Sequence, residues 1–235
     1  MEVPLGEAWE RRAAAWKAWV RTPGNDVHFT LLNWPGFDEL LPPPGRLTLD
    51  LGCGEGRAGL LLHPRGYRLV GLDTSPTLAE LARDTGHYDS VHVADAGAIP
   101  LDDDAVDLVV AFMSLHDMDD PAAAIDECAR VLEPGGCLCA AIVHPLNRPP
   151  DRLANYFEHQ RAADPVEANG LTMTFESIDR PLEYYTRALE RAGFVIEALR
   201  EPRPDEAAVR AEPRLASALH RPFFLHLLCR RSPAE

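Results

Sequence analysis

The sequence predicts an α/β protein whose core is a doubly wound, mainly parallel sheet. Strand-like and helix-like segments alternate over about 100 residues from Arg46 onward, as right-handed βαβ units do. The first strand runs straight into three closely spaced glycines. Two later apolar runs, from Leu108 and from Leu138, are continuous, as strands buried on both faces are.

Ahead of this core, Trp9, Ala13, Trp16 and Val20 form one stripe of a helix over Gly6 to Val20, which Pro23-Gly24-Asn25-Asp26 ends. Arg46 to Leu51 alternates with period two, and the short helix after it stops at His63-Pro64-Arg65-Gly66. Arg68 to Asp73 is the second strand. Ser75-Pro76 supplies the N-cap and first-turn proline of a helix to about Asp84. Ser90 to Ala94 and Val106 to Met113 are the third and fourth strands. Asp120-Pro121 opens a helix through Leu132, Pro134-Gly135-Gly136 terminates it, and Leu138 to Val143 is the fifth strand. Leu146 to Arg180 shows no clean periodicity and is too long for a plain connector, so a cap over a site is expected there. Pro181 begins a helix closed by Gly193, and Phe194 to Leu199 and Phe223 to Cys229 read as the last two strands.

Twenty-three basic against 37 acidic residues leave a formal charge of −14, which argues against nucleic acid or an anionic membrane as partner. With 46% hydrophobic and 26% charged residues the chain reads as neither disordered nor membrane-spanning. The opening MEVPLGEAWERR lacks the layout of a signal peptide, and five cysteines without a CxxC pair read as reduced. A cytoplasmic location, with no metal site, is expected.

The chemistry sits in Leu49-Asp50-Leu51-Gly52-Cys53-Gly54-Glu55-Gly56-Arg57. Glycines after a strand let the backbone turn sharply and approach a ligand. Asp73 lies 21 residues past Gly52, where a carboxylate can accept both hydroxyls of a ribose, and Asp95 lies 22 further on, where it can take an exocyclic amine. Three strand ends thus converge on one crevice. Two nucleoside readings stand here. Gly54-x-Gly56-x-x-Gly59 satisfies the dinucleotide fingerprint, so NAD is considered. Asp50, however, suits a ligand bearing an ammonium or sulfonium group better than a pyrophosphate.

LDLGCGEGR (49–57), GLDTSPTLAELAR (71–83), VADAGAIP (93–100), FMSLHDMDDP (112–121), VLEPGG (131–136) and AAIVHP (140–145) resemble the class I S-adenosylmethionine-dependent methyltransferases of the small-molecule type 11 group. More weakly, residues 180–202 look like the terminal portion of one branch of that group. The resemblance implies a Rossmann-like seven-stranded sheet whose last strand is antiparallel. It implies one methyltransferase domain with an N-terminal helical lid (1–40), a cofactor-binding core (41–145), a substrate cap insertion (146–180) and a C-terminal helix with two strands (181–235). Gly52 and Gly54 would pass the amino-acid part of the cofactor, with Asp50 near its ammonium. Asp73 would hold the ribose, Thr74 would pack near the adenine, Asp95 and Ala96 would read the adenine edge, and Ala111 to Met113 would contact the methionine moiety.

Methyl transfer needs alignment and, for some nucleophiles, a base. His116 and His144 follow the fourth and fifth strands and are the candidates, each with the competing reading of ordering its loop. His28, Tyr156 and Tyr184 are candidates for the substrate pocket, and Tyr185 is a weaker one. The tryptophans of the first helix read as core or docking residues, with a lid as the minority reading, and Arg57 as a solvated helix residue. The function expected is O- or N-methylation of a small metabolite, with C-methylation as a further option, secondary metabolism as the setting and S-adenosylhomocysteine as the product. A protein that binds the cofactor without transferring methyl, or an NAD-dependent oxidoreductase, is the alternative. Oligomeric state is not legible.

Overall fold

The computed structural model describes residues 3–233. Seven strands form one sheet: β1 (Thr48–Leu51), β2 (Leu69–Asp73), β3 (Ser90–Val93), β4 (Val106–Phe112), β5 (Leu132–Val143), β8 (Phe194–Arg200) and β9 (Phe224–Arg231), in spatial order β3-β2-β1-β4-β5-β9-β8. The first five pair in parallel, and β9 lies antiparallel between β5 and β8. The strand order reverses between β1 and β4, so the ends of β1, β2 and β4 open on the switch-point crevice expected of such sheets.

Helices cover both faces: α3 (Arg57–Leu62) and α4 (Pro76–Asp84), then α5 (Pro121–Val131) and α7 (Leu182–Arg191). The Ser75 hydroxyl accepts from the Leu78 N–H and Asp120 Oδ1 accepts from Ala122 and Ala123, so both proline-started helices carry side-chain caps. One core cluster joins Leu49, Leu51, Val109 and Ala111 to Ile125 and Leu189, and a second joins Leu108 and Val110 to Phe37 and Tyr67. The period-two split of β4 between them is that of a central strand buried on both faces.

Three segments differ from the sequence expectation. β5 starts at Leu132, because Pro134-Gly135-Gly136 lies within a register shift: Val106 pairs with Leu132, and Leu108 with Cys137. Residues 29–38 form a π-helical turn (Phe29–Asn33) running into α2 (Trp34–Asp38), and short helices α6 (Pro150–Ala154) and α8 (Glu206–Ala211) precede β6 and β9. Within the segment that showed no periodicity, β6 (Gln160–Ala168) and β7 (Leu171–Asp179) form an antiparallel hairpin. Its two-residue turn is Asn169-Gly170, with φ of 48° and 76°, the pair a tight hairpin turn prefers.

The N-terminal helix α1 (Leu5–Arg21) packs across β7. Arg12 Nε donates to Glu176 at 2.7 Å, and Trp16 and Trp19 each meet the Phe175 ring edge-on at 6.1 Å. Glu10 accepts from the Ser75 hydroxyl and from Thr77 Oγ1 at 2.6 Å, while Leu5 N–H donates to Asp119 at 2.8 Å. The helix is thereby fastened to three parts of the sheet's ligand edge.

Candidate active site

Between this roof and the strand ends lies a cavity of about 620 Å³, within the range of small-molecule pockets. Its floor is the loop between β1 and α3. Gly54 has φ +56°, and a Cβ built there meets nothing within 4 Å, so the space beside it is open cavity. Gly54 N–H donates to Asp73 Oδ2 at 2.8 Å, and Ser75 N–H to Asp73 Oδ1 at 2.9 Å. Asp73 therefore ties the glycine loop to the end of β2. Burial raises its carboxyl to about 6, against the pull of these two donors.

Asp50 is 1% exposed and borders the same floor. One of its oxygens is taken: the Tyr88 hydroxyl donates to Oδ2 at 2.6 Å and itself accepts the Gly59 N–H at 3.1 Å. Burial raises the Asp50 carboxyl to about 7. Gly59 sits within α3, where an added Cβ would fall 2.5 Å from the Tyr88 ring. The last glycine of the dinucleotide fingerprint thus serves Tyr88 rather than a pyrophosphate. Asp95 Oδ1 accepts from Gly97 N–H at 2.7 Å. Met113 ends β4 at φ +59°, a left-handed conformation unusual for a side chain of this size, and borders the cavity.

The cavity brings together Asp50, Gly52, Gly54, Asp73, Thr74, Asp95, Ala96, Met113, His116, His144 and His28. Three expected residues do not line it. Ala111 is buried in the α5–α7 core, on the opposite side of β4 from Val110. The Tyr156 hydroxyl accepts from Leu182 N–H at 2.9 Å, and its ring lies against Arg148. Tyr184 packs on Arg180 and His159, because the helical turn gives the cavity side of α7 to Tyr185.

The histidines differ in what their nitrogens do. His144 Nδ1 accepts from Leu146 N–H at 3.0 Å, and Nε2 lies 3.0 Å from Glu201, so both are engaged in holding the loop. His116 is buried with Nδ1 unpartnered and Nε2 3.4 Å from Asp117, and burial lowers it to about 3. His28 stacks on Phe223 at 4.5 Å, and burial lowers it as well.

Arg57, which the sequence reads as a solvated helix residue, is instead largely covered and lines the cavity, because the aromatic side chains of distant segments close over it. Its guanidinium lies 4.2 Å from the centre of the Phe29 ring and 5.1 Å from that of Trp16, and it pairs with Asp26 at 2.6 Å. Trp16 Nε1 donates to Glu55, so the roof is pinned directly to the glycine loop. Sequence reasoning passed over the hairpin, although Asn169-Gly170 was a readable signal for it. Among the described residues no group of three His, Cys, Asp or Glu side chains is placed to hold a metal, and no helix is long and apolar enough to cross a membrane.

Comparison with known proteins fits this geometry. A family model described as a methyltransferase domain matches residues 49–140, which span the glycine loop and the first five strands. A crystal structure of an S-adenosylmethionine-dependent methyltransferase from Mesorhizobium loti superposes with a TM-score of 0.68 at 28% identity, covering 85% of this chain and 97% of that one. Over residues 49–140 the chain is thus similar to the methyltransferase domain family, and its whole fold is similar to that of an S-adenosylmethionine-dependent methyltransferase. Among curated members, an uncharacterized methyltransferase of Mycobacterium tuberculosis is 42% identical over 102 residues, 43% of this chain and 42% of its own length. The 2-methyl-6-phytyl-1,4-hydroquinone methyltransferase of Synechocystis is 29% identical over 185 residues, 76% of this chain and 55% of its own. The chain thus spans about half, or less, of each curated methyltransferase it matches here. The class I cofactor fits the site: the open space at Gly54 is a cradle for a ligand, and Asp73, Thr74, Asp95 and Ala96 line the same cavity.

Proposed function

We propose that this chain transfers a methyl group from S-adenosylmethionine to a small molecule. One observation carries the reading: one roofed cavity is lined both by the glycine loop and strand-end carboxylates and by side chains of the hairpin. Asp73 accepts from the ribose hydroxyls, Asp95 and the Ala96 N–H read the adenine edge, and Thr74 packs beside the ring. Gly52 and Gly54 would give the amino-acid part its passage, and Asp50 and Met113, which line the same floor, would hold the methionine moiety. The bound cofactor supplies an electrophilic sulfonium methyl.

The chain's own task is to align the acceptor and exclude water. His116 is the proton acceptor and His144 a positioning residue, since the nitrogens of the latter are already bonded. With Nδ1 unpartnered, His116 can take the proton that a hydroxyl nucleophile sheds on methylation, so O-methylation is the favoured chemistry. N-methylation would proceed on alignment alone. His28, Phe223 and Phe175 offer an apolar wall to the acceptor. The Synechocystis relative, named for a hydroquinone, supports a small-molecule acceptor, and the net charge of −14 supports one over nucleic acid.

Isothermal titration with S-adenosylhomocysteine tests the cofactor, and release of S-adenosylhomocysteine across a panel of phenols, acids and amines tests the transfer. His116→Ala should cut turnover with cofactor affinity intact. Tight binding without product release across the panel would instead favour a protein that holds the cofactor without transferring methyl.

A further inference from the structure

Three arginines stand on the acceptor side of the cavity: Arg148 after β5, Arg152 in α6 and Arg180 after β7. Two have anionic partners. Arg152 pairs with Asp164 at 2.7 Å and with Asp179 at 3.1 Å, and Arg148 Nε lies 3.5 Å from the other Asp179 oxygen. Arg180 has none. Among the described residues no carboxylate oxygen comes within 4.0 Å of its guanidinium.

Arg180 is only 3% exposed. Its Nη2 donates to the carbonyls of Met118 and Asp119 at 2.9 and 2.8 Å, and the centre of the Tyr184 ring lies 5.3 Å from its guanidinium carbon. Nε and Nη1 have no partner. The nearby Asp117 makes no ion pair with it, and burial pushes that carboxyl well above the usual range. A guanidinium does not discharge itself by losing a proton, and a buried, uncompensated charge is costly. An anion in the cavity removes that cost.

We propose that the acceptor carries an anionic oxygen group, a carboxylate or a phosphate, and that Arg180 binds it beside His116. This deepens the methyl-transfer reading and rests on it. The two carbonyls on Nη2 hold the guanidinium in place before the ligand arrives, so little side-chain freedom is lost on binding. Phe175 and Phe223 border the same cavity, which suits an anionic group on an apolar body.

The test uses the full chain saturated with S-adenosylhomocysteine and follows fluorescence of the cavity tryptophans, Trp9, Trp16 and Trp19. Benzoate, phenyl phosphate and neutral benzamide are titrated in turn. At least one anion should bind about 10-fold or more tightly than benzamide, as a charge-assisted contact requires, and the tighter of the two names the group. Arg180→Gln should bring the anion down to the benzamide level with S-adenosylhomocysteine affinity, measured separately, retained. Arg180→Lys, which keeps the charge, should hold an intermediate preference, and it decides the matter with the wild-type series if Arg180→Gln does not fold. Equal binding of all three probes, or anion binding undiminished in Arg180→Gln, overturns the assignment. Failure of the wild type to bind S-adenosylhomocysteine overturns the cofactor reading instead, and its own titration shows it.

Discussion

On the floor of the cavity, the ligand-facing groups sit at the ends of neighbouring parallel strands. Asp50 lies near the end of β1, Asp73 ends β2 and Met113 follows β4; the Tyr88 hydroxyl holds the first, the Gly54 and Ser75 N–H groups the second, and the Ala141 carbonyl the backbone of the third. On the roof, α1, the hairpin and the arginines after β5 and β7 meet across the whole chain. Arg12 reaches Glu176, Trp16 reaches Glu55, and Arg180 reaches Met118. A floor of this kind is specified by local spacing, whereas the roof is specified by which distant segments the fold brings together. The floor should therefore govern cofactor affinity and the roof acceptor turnover.

The strongest way to break that division is Asp73→Ala, which removes the acceptor of two loop N–H groups and the proposed acceptor of the ribose hydroxyls. S-adenosylhomocysteine affinity should fall about 100-fold in calorimetry, the loss of two charge-assisted hydrogen bonds. Gly54→Ala puts a Cβ into the open cradle at φ +56° and should weaken the same binding about 10-fold, from left-handed strain and lost space together. On the roof, Phe175→Ala should lower kcat/KM for the acceptor by a comparable factor while cofactor affinity holds. Equal losses in both would merge the two regions into one.

Beneath the floor, Tyr88→Phe strips a donor from buried Asp50 and should cost about 1–2 kcal/mol in urea denaturation. The smallest expected effect is in pH. With Asp73 raised to about 6, its carboxyl turns neutral as the pH falls below that value and accepts less well, so cofactor affinity should drop about threefold between pH 7.5 and 5.5. The same raised value acts oppositely on stability: its contribution is full below the unfolded carboxyl's ordinary value and is lost as pH rises through about 6. Asp73→Asn should flatten both trends.

Sequence pattern was sufficient to place Asp73, Asp95, Gly52 and Gly54 at the cavity, because their positions follow from strand ends and turn chemistry. It misplaced Ala111, where alternation along β4 had to be resolved to one face, and Tyr184, where a single helical step separates cavity from surface. The hairpin escaped because only the β7 half alternates clearly, although Asn169-Gly170 marked its turn.

The sequence by itself determined the parallel sheet, its switch-point crevice and most of the strand-end residues that line it, since each depends on hydrophobic period, capping and glycine placement within a few tens of residues. Only the tertiary structure decided that α1 closes over the hairpin, that His116 keeps a free nitrogen while His144 does not, and that Arg180 stands buried without an anion. Those properties arise from burial and from partners more than 50 residues apart along the chain, and no local pattern records them.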